Sequence, residues 1–227
     1  PADAAAVIQP KVAALPKSLE EKITFRKNHL IAYQGKGLAK RYARMLDQIP
    51  DRDVKRAVAL GYHKLLSYKD EYEVARLLLN SREKAQAEFD GDFKMTFHMA
   101  PPIISKTGAD GRPVKREFGG WLERPFRIMA RMKSLRGTPL DVFGYTSERK
   151  MERALIKQYE TDMADVLPKL TDQTRDAVVA LAELPLTIRG FGPVKQANEG
   201  KAAKRREELL APEAPDAFHN GMPRLTV

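Results

Sequence analysis

Apolar residues return at three- and four-residue intervals along most of this chain, the period of helices that bury one face. Leu19, Ile23, Leu30 and Ile31 share such a stripe, and Ser18 with Glu21 three residues on forms a capping box, so a helix starts at Ser18. Gly35 and Gly37 interrupt the pattern, predicting a kink or short break. Leu38, Tyr42, Met45 and Leu46 then resume it until Pro50. Asp51 or Asp53 can cap the next helix, which runs to about Tyr68 with Val54, Val58, Leu65 and Leu66 inward. Residues 70–81 extend it or form another.

The period then changes. Phe93, Met95, Phe97 and Met99 alternate with Lys94, Thr96 and His98, as in a strand with one buried face, ended by Pro101 and Pro102. The GADG turn at 108–111 allows a return strand over Val114–Phe118, giving one small hairpin over about residues 93–118.

Helical spacing returns from Leu122 to Leu135, with Phe126, Met129 and Met132 inward and Pro125 in the first turn, where it is tolerated. Ser147 is expected to cap the longest helix, through Met151, Leu155, Tyr159, Met163 and Val166 to Pro168. A further helix is expected from Thr171 to Pro185, then a glycine-rich turn at 189–193, then a charged helix over Lys195–Leu210. Residues 1–17 read as a linker or extended arm, 18–210 as a single mostly helical domain, and 211–227 as a tail or strap. The expected class is therefore mainly α with one small hairpin. The alternating βαβ pattern of nucleotide-binding folds is missing from the sequence.

Composition narrows the chemistry. The chain has 227 residues, no cysteine and a net charge of +10. Without cysteine it cannot supply thiolates to a zinc site or an iron–sulfur cluster. It has no apolar run of the roughly 20 residues a bilayer span needs, and a reducing, cytoplasmic setting is expected. The basic balance points to an acidic partner, such as nucleic acid, an anionic cofactor or an acidic protein surface. The alanine- and proline-rich start at Pro1 reads as a cut within a longer polypeptide.

Several groups carry candidate chemistry. Arg124, Arg127 and Arg131 fall at i, i+3 and i+7 on one helix stripe, suited to carboxylates or phosphates. RGFGPVK, 189–195, places Arg189 and Lys195 around two glycines before a helix, as an anion loop would. His98 lies on the polar face of a strand beside a rigid turn, a good position for a binding group. No histidine pair has metal-ligand spacing in the sequence. GKG at 35–37 is not a phosphate loop, and GYTSERK around Ser147 lacks the nucleophile pattern GxSxG. No catalytic residue is assigned.

Six stretches resemble one family in order: AYQGKGLAKRY (32–42), LLSYKDEYEVARL (65–77), FHMAPP (97–102), KREFGGW (115–121), LRGTPLDVFGYTSERKMERALI (135–156) and LPLTIRGFGPVK (184–195). They are similar to the C-terminal region of indolepyruvate ferredoxin oxidoreductase, of the 2-oxoacid:ferredoxin oxidoreductase family. Pro193 stands where the resemblance leads us to expect histidine, so no histidine role carries over to this loop. The resemblance implies a parent enzyme that oxidises arylpyruvates or related 2-oxoacids with coenzyme A. Such an enzyme uses thiamine diphosphate with Mg²⁺ and passes electrons through [4Fe-4S] clusters to ferredoxin. No cofactor is assigned to this segment. It would be an accessory C-terminal domain, inactive alone. Its partners would be the catalytic domains of the same polypeptide or its dimer mate, with ferredoxin or coenzyme A as further candidates. Two other readings are a free-standing basic nucleic-acid-binding protein and a small-molecule enzyme using RGFGPVK and the arginines.

Overall fold

The computed structural model describes residues 16–88, 96–99, 116–190 and 192–211. The fold is mainly α. Its helices are α1 (Leu19–Tyr33), α2 (Lys36–Asp47), α3 (Arg52–Leu66), α4 (Glu71–Glu88), α5 (Glu123–Arg131), α6 (Ser147–Val166), α7 (Arg175–Glu183) and α8 (Pro193–Leu210). Two three-residue strands, β1 (Phe97–Met99) and β2 (Arg116–Phe118), pair antiparallel with Phe97 opposite Phe118 and His98 opposite Glu117. The expected arm up to residue 15, the strand start at 93–95, Pro101, Pro102, the GADG turn and the tail from residue 212 lie outside the described residues.

The chain divides into two compact units. One comprises Pro16–Tyr68 with the residues from Arg136 onward, and the other spans Lys69–Leu135. Periodicity carries no mark of this division, because both units are built from amphipathic helices.

In the larger unit, α3 is the central helix. It buries Val54, Ala57, Val58, Ala59, Gly61, Tyr62, Leu65 and Leu66, and a helix apolar on most of its circumference is surrounded by neighbours. Tyr42 of α2 and Tyr159 of α6 both stack on Tyr62, with ring centroids 6.1 and 5.7 Å away. Buried phenols need partners. Tyr42 donates to the Ala59 carbonyl at 3.0 Å, and Tyr159 to the Ala182 carbonyl at 3.1 Å. Met163, Val166, Val178 and Leu181 complete the core. Gly61 allows a close approach, since a Cβ there would run into the Ala182 carbonyl oxygen of α7.

Helix ends follow local chemistry. Ser18 and Glu21 form the expected capping box, and the Asp51 carboxylate accepts from the Asp53 and Val54 amides at 2.9 Å. The break falls at Gly35, whose φ of 142° suits glycine. Two starts differ from expectation. Thr146, not Ser147, caps α6, accepting from the Arg149 amide at 3.3 Å. The α7 helix begins at Arg175 rather than Thr171, because Thr171 and Thr174 hydroxyls capture one another's amides in a turn.

In the smaller unit, α4 packs against α5. Ala75 and Phe126 are buried, with Leu78, Leu79, Phe118, Leu122 and Met129 partly buried around them. Asp70 starts α4 by accepting from the Glu73 amide at 2.9 Å. The expected helix over Leu122–Leu135 is an α-helix flanked by 3-10 turns at Gly120–Leu122 and Met132–Leu135.

Candidate functional site

The arginine stripe of α5 is exposed at Arg124, Arg127 and Arg131. Arg127 pairs with Glu123 one turn back, and Glu123 also takes Arg82 of α4. Arg124 and Arg131 have no acidic partner among the described residues. Two apolar side chains share their face, Trp121 at 66% exposure and Ile128 at 60%. The order Trp121, Arg124, Ile128, Arg131 steps by three, four and three, the spacing of a seam that meets another helix. Helical spacing marks the arginines in the sequence, but period cannot tell an exposed indole from a core one.

Arg189 and Lys195 of RGFGPVK end on different internal partners. Lys195 turns into the larger unit, pairing with Glu152 and, at 3.4 Å, with Glu148. Glu152 also binds Arg149, and both are buried. Burial pushes the Glu152 carboxyl up, against the opposing pull of Lys195 and Arg149. Arg189 is exposed and donates to the Leu186 carbonyl at 2.9 Å. Lys64 of α3 donates to the Ile188 carbonyl beneath this loop, and its pKa is lowered by burial and by Lys195 and Arg189 nearby. Perturbed pKa values can mark functional sites, but ion networks that join helices perturb them equally. Here the named cations end on internal partners. His98 is placed in the β1–β2 ladder by its backbone.

Two groupings escaped sequence reasoning. His29 and His63, far apart in the chain, bring Nδ1 and Nε2 within 3.0 Å. Burial, with His29 and Arg26 nearby, pushes His63 down to about 3. Among the described residues no three histidine, aspartate or glutamate side chains converge as metal donors.

The second grouping is Arg41, Tyr62 and Glu160. The guanidinium meets both carboxylate oxygens at 2.6 Å, and the Tyr62 hydroxyl donates to the same carboxylate. Burial opposes charge on Glu160, yet hydrogen bonds from Arg41 and Tyr62 outweigh it and hold the carboxyl below its usual range. Residues 98 and 119 positions apart leave no spacing signal.

The fold defines the class as a mainly α domain. The chain belongs to a family of unknown function, DUF6537, whose model matches residues 19–208. No curated protein and no solved structure matches it. Among the described residues, no helix is long and apolar enough to cross a membrane.

Proposed function

We propose that this chain is an accessory, non-catalytic docking domain of a cytoplasmic thiamine diphosphate-dependent 2-oxoacid:ferredoxin oxidoreductase acting on indolepyruvate or a related arylpyruvate. The oxidoreductase assignment is supported by the six stretches similar to that enzyme family. The docking role is supported by one observation, the face of α5 on which exposed Trp121 and Ile128 alternate with Arg124 and Arg131, neither of which has an acidic partner among the described residues.

An exposed indole flanked by guanidinium groups is the composition of an interface centre, where tryptophan and arginine give the largest energies. The arginines select an acidic partner surface and speed its approach. This chain has no cysteine for a cluster, and its described carboxylates gather no metal-binding set. On this reading thiamine diphosphate, Mg²⁺ and the clusters belong to the catalytic domains of the parent enzyme, and no chemical step is placed here.

The test is made on the polypeptide that carries this chain, assayed by 2-oxoacid-dependent dye reduction. Deleting residues 18–210, or combining Arg124→Glu with Arg131→Glu, is expected to reduce turnover or release the domain. Residues 1–227 alone are expected to show no turnover. Full activity after the deletion overturns the reading. Tight RNA binding by the isolated chain, falling steeply with salt, overturns it in favour of a nucleic-acid-binding protein.

A further inference from the structure

A second open feature lies in the larger unit, between α2 and α6, which both pack on α3. It is a cleft of about 260 Å³, with the Arg41–Glu160 pair and Tyr62 among its lining groups. Each wall is a single helix stripe. From Arg41, α2 adds Arg44 and Met45 at i+3 and i+4, and from Glu160, α6 adds Ala164 at i+4, with Leu167 following at i+7.

The charges in this cleft do not cancel. Both Glu160 oxygens are taken by Arg41, so that pair is neutral overall. Arg44, one turn along, is exposed and has no acidic partner among the described residues. The cleft therefore carries one uncompensated guanidinium and selects a single negative charge. A phosphate or diphosphate would want further donors, such as a nest of backbone amides, which mid-helix backbone does not offer.

Apart from the Gln48 amide next along α2, the remaining lining is apolar. Met45, Ala164 and Leu167 are accessible along it, and Met163 lies buried beneath. A flexible thioether adapts to a slender apolar guest. The seven residue steps from Glu160 to Leu167 rise about 10 Å, so the guest is elongated. The volume falls just below the range for drug-sized ligands.

From this geometry we infer that the α2–α6 cleft is a binding site for a small monocarboxylate with a medium-length aliphatic chain. Its carboxylate rests on Arg44, and its chain lies along Met45, Ala164 and Leu167.

The test uses the full chain labelled at its methionine methyl groups, titrated with octanoate and followed by NMR. Saturable shifts are expected at Met45 and Met163, while Met129 and Met132 stay fixed. Loss of one charge-assisted hydrogen bond corresponds to roughly tenfold or more in affinity, so Arg44→Gln should weaken octanoate binding by about that factor. Octanol, which lacks the charge, should bind the unaltered chain at least as weakly. Ala164→Trp, at an exposed position, should fill the cleft and abolish the shifts without unfolding the chain. The inference is overturned by no shift at Met45, by shifts spread equally over all the methionines, by unchanged affinity in Arg44→Gln, or by saturable octanoate binding that survives Ala164→Trp.

Discussion

Helices α5 and α6 both carry arginines at helical spacing, yet the two sets have opposite fates. On α6, Arg149 is buried against Glu152, which also holds Lys195, and Arg153 reaches back to the Gly144 carbonyl. On α5, Arg124 and Arg131 stand in solvent beside an exposed Trp121. The arginines themselves are chemically equivalent. The difference lies in what faces them. The Glu152 cluster on α6 is met by Lys195 at the start of α8, and α6 answers Arg206 of α8 with Asp162, whose two oxygens take that guanidinium at 2.7 and 2.5 Å. On the α5 stripe Arg127 pairs with Glu123 of its own helix, and Arg124 and Arg131 meet no acidic side chain among the described residues. A cation satisfied inside the chain holds the fold together, whereas one left outside is available to a partner.

The comparison can be broken most forcefully at Glu152. Removing one member of a buried ion pair leaves the other unpaired and costs about 3–5 kcal/mol. Glu152→Ala should lower urea-unfolding stability by about that much. A loss below about 1 kcal/mol would mean that the α6 network is as dispensable as surface charge.

Gly61 tests the packing that surrounds this network. Alanine in a helix interior ordinarily adds up to about 1 kcal/mol over glycine. Here the added methyl meets the Ala182 carbonyl, and overpacking of a core costs about 1–3 kcal/mol. Gly61→Ala should therefore destabilise by about 2 kcal/mol, a reversal of the usual sign, read by thermal or urea melting.

His63 sharpens the contrast through pH. Its folded pKa of about 3 lies below the ordinary 6.5. Below pH 6.5 the unfolded chain takes up a proton that the folded chain refuses. The contribution is complete above pH 6.5 and is lost as pH falls toward 3. Between pH 7.5 and 5, the unaltered chain should lose about 2 kcal/mol more stability than His63→Gln, at roughly 1.4 kcal/mol per unit below pH 6.5.

The smallest effect on stability belongs to α5. Arg124→Glu, Arg131→Glu and Trp121→Ala lie on an exposed face, where substitutions stay within about 0.5 kcal/mol. Melting curves should barely move.

Much of the fold was legible because helix ends are local. Ser18 with Glu21, Asp51, the break at Gly35 and the stop at Pro168 each work within a few residues. The strand pairing of Phe97 with Phe118 agrees with the period-two pattern and the return expected by Phe118. The starts of α6 and α7 were displaced because neighbouring threonine and serine hydroxyls compete for the same amides, and period does not rank them. The site was less legible. Nothing local in SERKMERALIKQYETDMADV marks Glu152 and Asp162 as buried, since their partners Lys195 and Arg206 lie 43 and 44 residues away. The Arg41–Tyr62–Glu160 cluster is hidden for the same reason. The α5 arginines were visible by spacing, but the exposure of Trp121 depends on what tertiary packing leaves uncovered.

The docking role of the α5 face is tested most directly by sedimentation. Residues 1–227 would be mixed with the separately produced catalytic portion of the proposed parent enzyme at low and high salt. The expected result is a complex that weakens with salt and is lost in the combined Trp121→Ala, Arg124→Glu, Arg131→Glu variant, whose melting curve is unchanged. A complex that forms equally well with that variant would contradict the account.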